Sequence, residues 1–507
     1  LNGQPTVILA KTVKGYGMGE AGEGQNTTHQ QKKVGEDALR QFRDRFNIPV
    51  TDEQLPHLPF VRPAEDSQEM KYLRERGAAM GSIPARHPVA EALQIPGLEA
   101  FDALLKSSED REFSTTMAFV RLLGILVKDK AIGKQIVPIV PDESRTFGME
   151  GMFRQLGIFS QVGQLYTPQD ADQLMFYKES ESGQILQEGI NEAGGMADWI
   201  AAATAYANHG VAMIPFYIYY SMFGFQRIGD LAYAAGDLRA RGFLVGGTAG
   251  RTTLNGEGLQ HQDGHSHLMA ATIPNCVSYD PTFAYELAVI VQDGMRRMYQ
   301  NQEDVFYYLT VMNENYTHPA MPKGAEEGII KGMYKFSTGS AKTKTKVQLL
   351  GSGTILREVI AAAELLEKDF GVSADVWSVT SFNELRRDGI DCERWNTLHP
   401  EAQPRTSYVD SCLDAKTAVV AATDYIRSYA DQIRPFVKAR YKTLGTDGFG
   451  RSDTRKKLRG FFEVDRYYVT VAALKALADE GAIPASTVSK AIKQYKINPD
   501  KPNPVTV

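Results

Sequence analysis

Between Asn255 and His267 the chain reads NGEGLQHQDGHSH, which places three of its nine histidines, His261, His265 and His267, within seven residues. Glu257 and Asp263 add carboxylates, and Gly256, Gly258 and Gly264 let the backbone run close to whatever it meets. Three readings fit such a stretch. The spacing of His261 and His265 suits two zinc ligands on one helical face, but the glycines oppose a helix and no cysteine is near. A solvated turn would carry the same residues without function. A ligand-facing loop would use imidazoles, which titrate near neutrality, for proton transfer. The surroundings favour this last reading, because the strand pattern FLVGG (243–247) precedes the loop and ligands gather at strand carboxyl ends in open parallel sheets.

Other residues share that placement. Asp142 and Glu143 follow the strand pattern QIVPIV (135–140), and Tyr220 ends VAMIPFYIYY (211–220), with Phe223 just beyond. Glu192, in QEGINEAGG, opens an alanine-rich helix; it reads either as a first-turn acid favoured by the helix dipole or as a buried functional carboxyl. LLGSGT (349–354), with Asp375 further on, resembles half of a dinucleotide-binding turn. Its third glycine is missing, and close strand–helix packing explains the other two as well.

The elements that must position these residues alternate. A helix begins at the N-cap Ser114, and helices are expected over 187–208, 229–242 and 281–299, interleaved with strands at 135–140, 211–220, 243–247 and 305–311. The pattern then repeats, with strand 346–353, helix 354–371, strand 374–382, strand 418–425 and a closing helix over 466–481. This is an α/β protein with a mostly parallel sheet domain and a second, C-terminal α/β domain. Upstream, GQPTVILAKTV has strand character, KGYGMGEAGEG is a glycine-rich loop, and 35–48 reads as a short amphipathic helix. Seven of the 23 prolines fall between Pro49 and Pro96, which reads as an extended linker.

At 507 residues the chain should divide into several domains, and 43% hydrophobic residues are ample for their cores. A net charge of −5 excludes strong attraction to nucleic acid or anionic membranes. The apolar run at 211–225 holds Pro215 and is too short to span a membrane. Three scattered cysteines fit reduced thiols in a cytoplasmic setting, or simply small core residues.

The blocks GQPTVILAKTVKGYGMG, DESRTFGMEG, QILQEGINEAGG, PFYIYYSMFGFQRIGD, GGTAGRTTLNGEGLQHQDGHSH, TIPNCVSYDP and LGTDGFGRSD together resemble the homodimeric, bacterial-type pyruvate dehydrogenase first-component family. These enzymes depend on thiamine diphosphate and decarboxylate pyruvate. The resemblance runs the whole length of the chain, and GINEAGG and GLQHQ carry a looser likeness to transketolases. It implies a transketolase-like fold: residues 1–48 would end a diphosphate-binding domain, 49–113 would be the linker, 114–321 a pyrimidine-binding domain and 322–507 the C-terminal domain. The family's GDG motif with its following asparagine, which holds diphosphate and Mg2+, does not occur here. The expectation is a C-terminal portion of a longer enzyme, with the metal ligands elsewhere.

The resemblance also implies roles. Glu192 would hydrogen-bond a ring nitrogen of the aminopyrimidine from a buried, protonated carboxyl, while Tyr220 and Phe223 would lie against the ring. His261, with Glu257 beside it, would meet the substrate. His29 matches a histidine on a mobile loop linked to acetyl transfer onto lipoyl groups. Lys14 and Lys32 would steer anionic groups, and Asp142 would border the cofactor. His265 and His267 receive no role. The implied partners are pyruvate, the lipoyl domains of the dihydrolipoyl acetyltransferase core and a second copy of the chain. Two alternatives stay open: a related thiamine enzyme acting on another 2-oxo acid or a sugar phosphate, and a non-catalytic fragment.

Overall fold

Among the described residues strand–helix alternation resolves into two large sheets and one two-stranded ribbon, all within the larger of two compact units, Leu1–Ala85 and Arg86–Val507. The structure, a computed structural model, describes residues 6–80, 90–141, 144–169, 177–340 and 343–507.

In the first unit the expected opening strand does not form. A strand needs a neighbour for its ladder bonds. Among the described residues none pairs with 6–13, so Val7, Ile8 and Leu9 stand 83%, 84% and 92% exposed. The glycine-rich segment instead closes on Glu23, whose Oε2 accepts from the Gly17 and Gly19 amides at 3.2 Å and from Arg45 Nη1 at 2.6 Å. Arg45 ends helix α1 (Glu36–Arg45), close to its expected span, and its guanidinium lies 4.8 Å above the Tyr16 ring. Gly17 has φ +91, and a Cβ there would lie 2.7 Å from the Phe46 ring, so glycine is required. Within the segment expected as linker, Gln68–Met80 forms helix α2, and Phe101 and Leu104 are fully buried in the second unit's core.

The second unit follows the sequence pattern closely. Ser114 Oγ accepts from the Met117 amide at 3.1 Å and caps α3 (Thr115–Leu126), as its residue type suggested. Six strands, β1 (Ile136–Val140), β2 (Leu186–Gln187), β3 (Ile214–Tyr220), β4 (Phe243–Gly247), β5 (Cys276–Tyr279) and β6 (Phe306–Thr310), form a wholly parallel sheet ordered β2-β1-β3-β4-β6-β5. Period-2 alternation sends Phe216 and Ile218 to one face, against α3 and α6 (Ala284–Met295). Tyr217 and Tyr219 go to the other, against α4 (Glu192–Asn208) and α5 (Gly224–Asp237).

The second sheet, ordered β11-β10-β8-β9-β7, comprises β7 (Met333–Ser337), β8 (Lys346–Gly351), β9 (Ser373–Val379), β10 (Val419–Ala422) and β11 (Tyr441–Leu444). Only its edge pair β9–β7 is antiparallel. Helices α7 (Ile355–Phe370), α8 (Phe382–Leu398), α9 (Arg455–Phe461) and α10 (Arg466–Asp479) complete this half. Gly353 closes β8 onto the first half: a Cβ there would sit 2.5 Å from Asp280 Oδ2, and Asp375 is engaged by Lys335 Nζ at 2.9 Å. The glycines of LLGSGT thus serve packing. Among the described residues no helix is long and apolar enough to cross a membrane, and the three cysteines are free thiols.

His267 sits where the two halves meet. Its Nε2 lies 2.9 Å from Thr310 Oγ1, and its ring stacks on Tyr429 at 4.9 Å with Tyr425 edge-on. Burial, only partly opposed by Asp263, pushes its pKa down to about 3. The unfolded imidazole takes a proton near its ordinary pKa of about 6.5, so this contribution to stability is whole above that pH and declines as pH falls toward 3. The slope for one proton is about 1.4 kcal/mol per pH unit. His267→Gln should remove that slope, read as the difference between the two proteins' urea-unfolding free energies at pH 7.5 and pH 5. Equal slopes would mean that the folded chain protonates His267.

Candidate active site

The winding of the first sheet reverses at β1: the chain passes outward to β2, then returns to β1's other side as β3. Such a reversal opens a crevice at the strands' carboxyl ends. Tyr220 is the last residue of β3, and Phe147, in the loop after β1, faces it with ring centroids 5.3 Å apart. Phe223, at the N-cap of α5, is 6.0 Å from Tyr220. The His261 ring packs edge-on against both, at 4.9 and 5.2 Å. Its Nδ1 lies 3.2 Å from Glu257 Oε2, close enough for charge pairing but not aligned as a hydrogen bond.

Glu192 opens α4, where Asn191 Oδ1 accepts from the Gly194 amide at 3.1 Å. The carboxyl is both a first-turn acid and buried, so the two readings of this residue describe one position. Its Oε1 accepts from Arg227 Nη1 at 2.6 Å, and the same guanidinium lies 4.2 Å over the Phe223 ring. Oε2 accepts no hydrogen bond from any described residue. Carboxylate, guanidinium and aromatic wall therefore form one continuous surface. Beside it, burial and the Glu188 carboxyl push Asp198 up to about 7. Burial, with Glu192, Glu188 and Asp198 adding to it, raises the Tyr217 hydroxyl.

Two glycines make room for this surface. A Cβ at Gly247 would approach the Phe147 ring to 2.6 Å, and one at Gly246 would meet Ser221 Cβ at 2.8 Å. Around them the buried hydroxyls of Ser144, Ser221 and Thr248 find no partner among the described residues. Buried polar groups are ordinarily hydrogen-bonded to protein, water or a ligand.

The histidine loop is pinned from both sides. Gln262 exchanges two hydrogen bonds with the Arg451 backbone, at 2.7 and 2.8 Å, and Asp263 Oδ1 accepts from the His265 and Ser266 amides at 3.0 Å. Its three histidines diverge: His261 faces the aromatic wall, His265 Nε2 lies 2.9 Å from Gln226 Nε2, and His267 is buried at the junction of the two halves. Among the described residues no group of three or more His, Cys, Asp or Glu could hold a metal ion.

Of the residues singled out by sequence, Glu192, Tyr220, Phe223, Glu257 and His261 come together. Lys14, His29 and Lys32 belong to the first compact unit and are exposed there, His29 within the turn Asn26–Gln30. Asp142, with Glu143, lies outside the described residues. Sequence reasoning missed Arg227 and Phe147. Arg227 had a signal, its position one turn beyond Phe223, but the expected helix began at Gly229, whereas α5 starts at Gly224.

Residues 93–319 match the family "Pyruvate dehydrogenase E1 component middle domain", and 332–465 match "Transketolase-like TK C-terminal domain". Over 509 residues the chain is 66% identical to the pyruvate dehydrogenase E1 component of Cupriavidus necator, covering 100% of this chain and 57% of that protein. Along its whole length the chain is similar to pyruvate dehydrogenase E1 components. The Escherichia coli K12 E1 component is 58% identical over 506 residues, 99% of this chain and 57% of its own length. The chain thus spans 57% of these E1 components. Among solved structures, transketolase from Campylobacter jejuni superposes with a TM-score of 0.62 at 16% identity, over 92% of this chain and 63% of that one. The fold is transketolase-like. All the crevice residues fall inside the E1 middle-domain match.

Proposed function

We propose that this chain supplies the pyrimidine-side wall of a thiamine diphosphate site in a pyruvate dehydrogenase (acetyl-transferring) E1 enzyme. That enzyme decarboxylates pyruvate and passes the acetyl group to lipoyl domains of the acetyltransferase core. The observation that carries the reading is a buried carboxyl with one free oxygen, set against an aromatic wall at the sheet's reversal point. The residues fit an aminopyrimidine: a flat face to stack on and one strong hydrogen-bonding acid. They do not supply the oxygen-rich cradle that a diphosphate with Mg2+ requires.

When bound, thiamine diphosphate supplies the carbon nucleophile and the electron sink. The chain's residues orient it and move protons. Tyr220 and Phe223 would lie against the cofactor's pyrimidine ring, and the Glu192 carboxyl would hydrogen-bond a ring nitrogen and hold a proton there. Arg227 holds the Glu192 carboxyl through Oε1, which would leave Oε2 for that hydrogen bond. His261 presents an imidazole nitrogen to the substrate, with Glu257 orienting the ring. Asp142 borders the same site in this reading, Lys14 and Lys32 steer anionic groups, and His29 serves acetyl transfer to lipoyl groups. The same reading includes the domain division given by the resemblance, a homodimer and a cytoplasmic location.

Two substitutions separate the half-reactions in a full-length enzyme, one with the extent of those relatives. His261→Ala should cut pyruvate turnover or saturation by about 100-fold or more, the scale of lost acid–base assistance. His29→Ala should impair acetyl transfer to lipoyl groups far more than decarboxylation read with an artificial electron acceptor. Equal losses in both assays would assign His29 to the cofactor or the fold.

A further inference from the structure

Away from the aromatic crevice, the loop after β6, the first turn of α7 and helices α9 and α10 enclose a cleft of about 420 Å³. Charges alternate along its wall. Arg357 Nη1 donates to Glu314 Oε1 at 2.8 Å, and Arg459 donates to both oxygens of the same carboxylate. Arg459 Nη1 also reaches Glu358 Oε1 at 3.5 Å, where Arg466 donates through Nε at 2.9 Å and Nη2 at 3.1 Å. Burial pushes the Glu314 carboxyl up, but Arg459, Arg357 and Thr354 bring it down to about 2. Both glutamates are therefore consumed by the three guanidiniums that bracket them.

The third acid, Asp465, spends its Oδ1 on the Tyr467 and Tyr468 amides at 3.0 Å. Arg455 and Lys456 remain. Neither has a carboxylate within ion-pairing distance among the described residues, and Arg455 is half-buried, its Nε donating to the Thr253 carbonyl. Burial holds the Arg455 guanidinium below its ordinary range; Glu314 opposes this, while Arg459 and Arg357 add to it. The cleft thus carries five cations against three carboxylates, an excess that a dianion would match.

We propose that this cleft binds the phosphate group of a small phosphomonoester, held by Arg455 and Lys456 between the walls formed by Arg357 and Arg466. Guanidinium forks suit the bidentate geometry of phosphate oxygens, and a lysine adds a mobile point charge. The volume lies within the ~300–1,000 Å³ usual for small-molecule sites, leaving space for an organic group beyond the phosphate. The Arg455 amide also donates to Asn255 Oδ1 at 3.0 Å, so the cleft adjoins the base of the loop that carries Glu257 and His261.

Calorimetry on the 507-residue chain, with inorganic phosphate and with methyl phosphate at ionic strength fixed by sodium chloride, tests this. The expected result is one saturable site for both probes. Lys456→Ala and Arg455→Gln should each weaken binding about tenfold or more, and the exposed Lys456 can be replaced without moving the urea midpoint measured in the absence of phosphate. Binding of phosphate with exclusion of methyl phosphate would overturn the ester as ligand. No saturable heat from either probe, or binding unchanged in both variants, would overturn the site.

Discussion

Glu192→Gln in the full-length enzyme should slow proton exchange at the cofactor's reactive carbon, and with it pyruvate decarboxylation, by two or more orders of magnitude. The glutamine keeps the shape and can still accept from Arg227, but it has no carboxyl to hold the ring nitrogen. A factor of 100 corresponds to about 2.7 kcal/mol of barrier, the lower end of what a positioned acid or base contributes. Exchange followed by NMR separates this step from substrate binding. A variant exchanging at the parental rate would remove Glu192 from the chemistry and leave it as the helix's first-turn acid.

The second large effect concerns the 507-residue chain by itself. Stacking on Tyr220 and Phe223 and one strong hydrogen bond at Glu192 contribute together ~2–4 kcal/mol before the cost of association. A millimolar dissociation constant already needs about 4 kcal/mol. The chain should therefore bind thiamine diphosphate no more tightly than about 1 mM, without dependence on magnesium, and should not decarboxylate pyruvate. Calorimetry showing tight, magnesium-dependent binding would mean that residues of this chain grip the diphosphate in a way the crevice geometry does not suggest.

Much of the fold was legible because burial and periodicity agree. FLVGG was expected as a strand over 243–247 and forms β4 over those residues. The helix expected over 354–371 forms α7, and Ser114 caps α3. What escaped had competing signals. Helix α8 went unseen because strand character was read through Phe382, although Ser381 and Glu384 stand at capping-box spacing and Ser381 Oγ does accept from the Glu384 amide at 3.0 Å. Gly389 lies within that helix, where a Cβ would sit 2.5 Å from the Phe436 ring. The opening segment holds residues that favour β structure but pair with no strand among the described residues.

The site was half legible for the same reason. Glu192 stands in the first turn of a helix, Tyr220 ends a strand with Phe223 just beyond, and Glu257 and His261 lie in the loop that follows a strand, positions that suggest a ligand. Phe147 acts through a tertiary contact that no local pattern encodes, and Arg227, one turn beyond Phe223, lay ahead of the expected helix start at Gly229. The three histidines of the loop after β4 look alike in sequence, but burial separates them. His267 is neutral and structural, with a pKa near 3, while His261 faces the crevice.

The most direct test of the central claim is substrate choice in the full-length enzyme. With thiamine diphosphate, magnesium and an artificial electron acceptor, turnover is compared for pyruvate, longer 2-oxo acids and a ketose phosphate. Pyruvate should be consumed with a kcat/KM at least tenfold above any longer 2-oxo acid, with no turnover of the ketose phosphate. Preferential turnover of the ketose phosphate, or no thiamine-dependent reaction with pyruvate, would contradict the account.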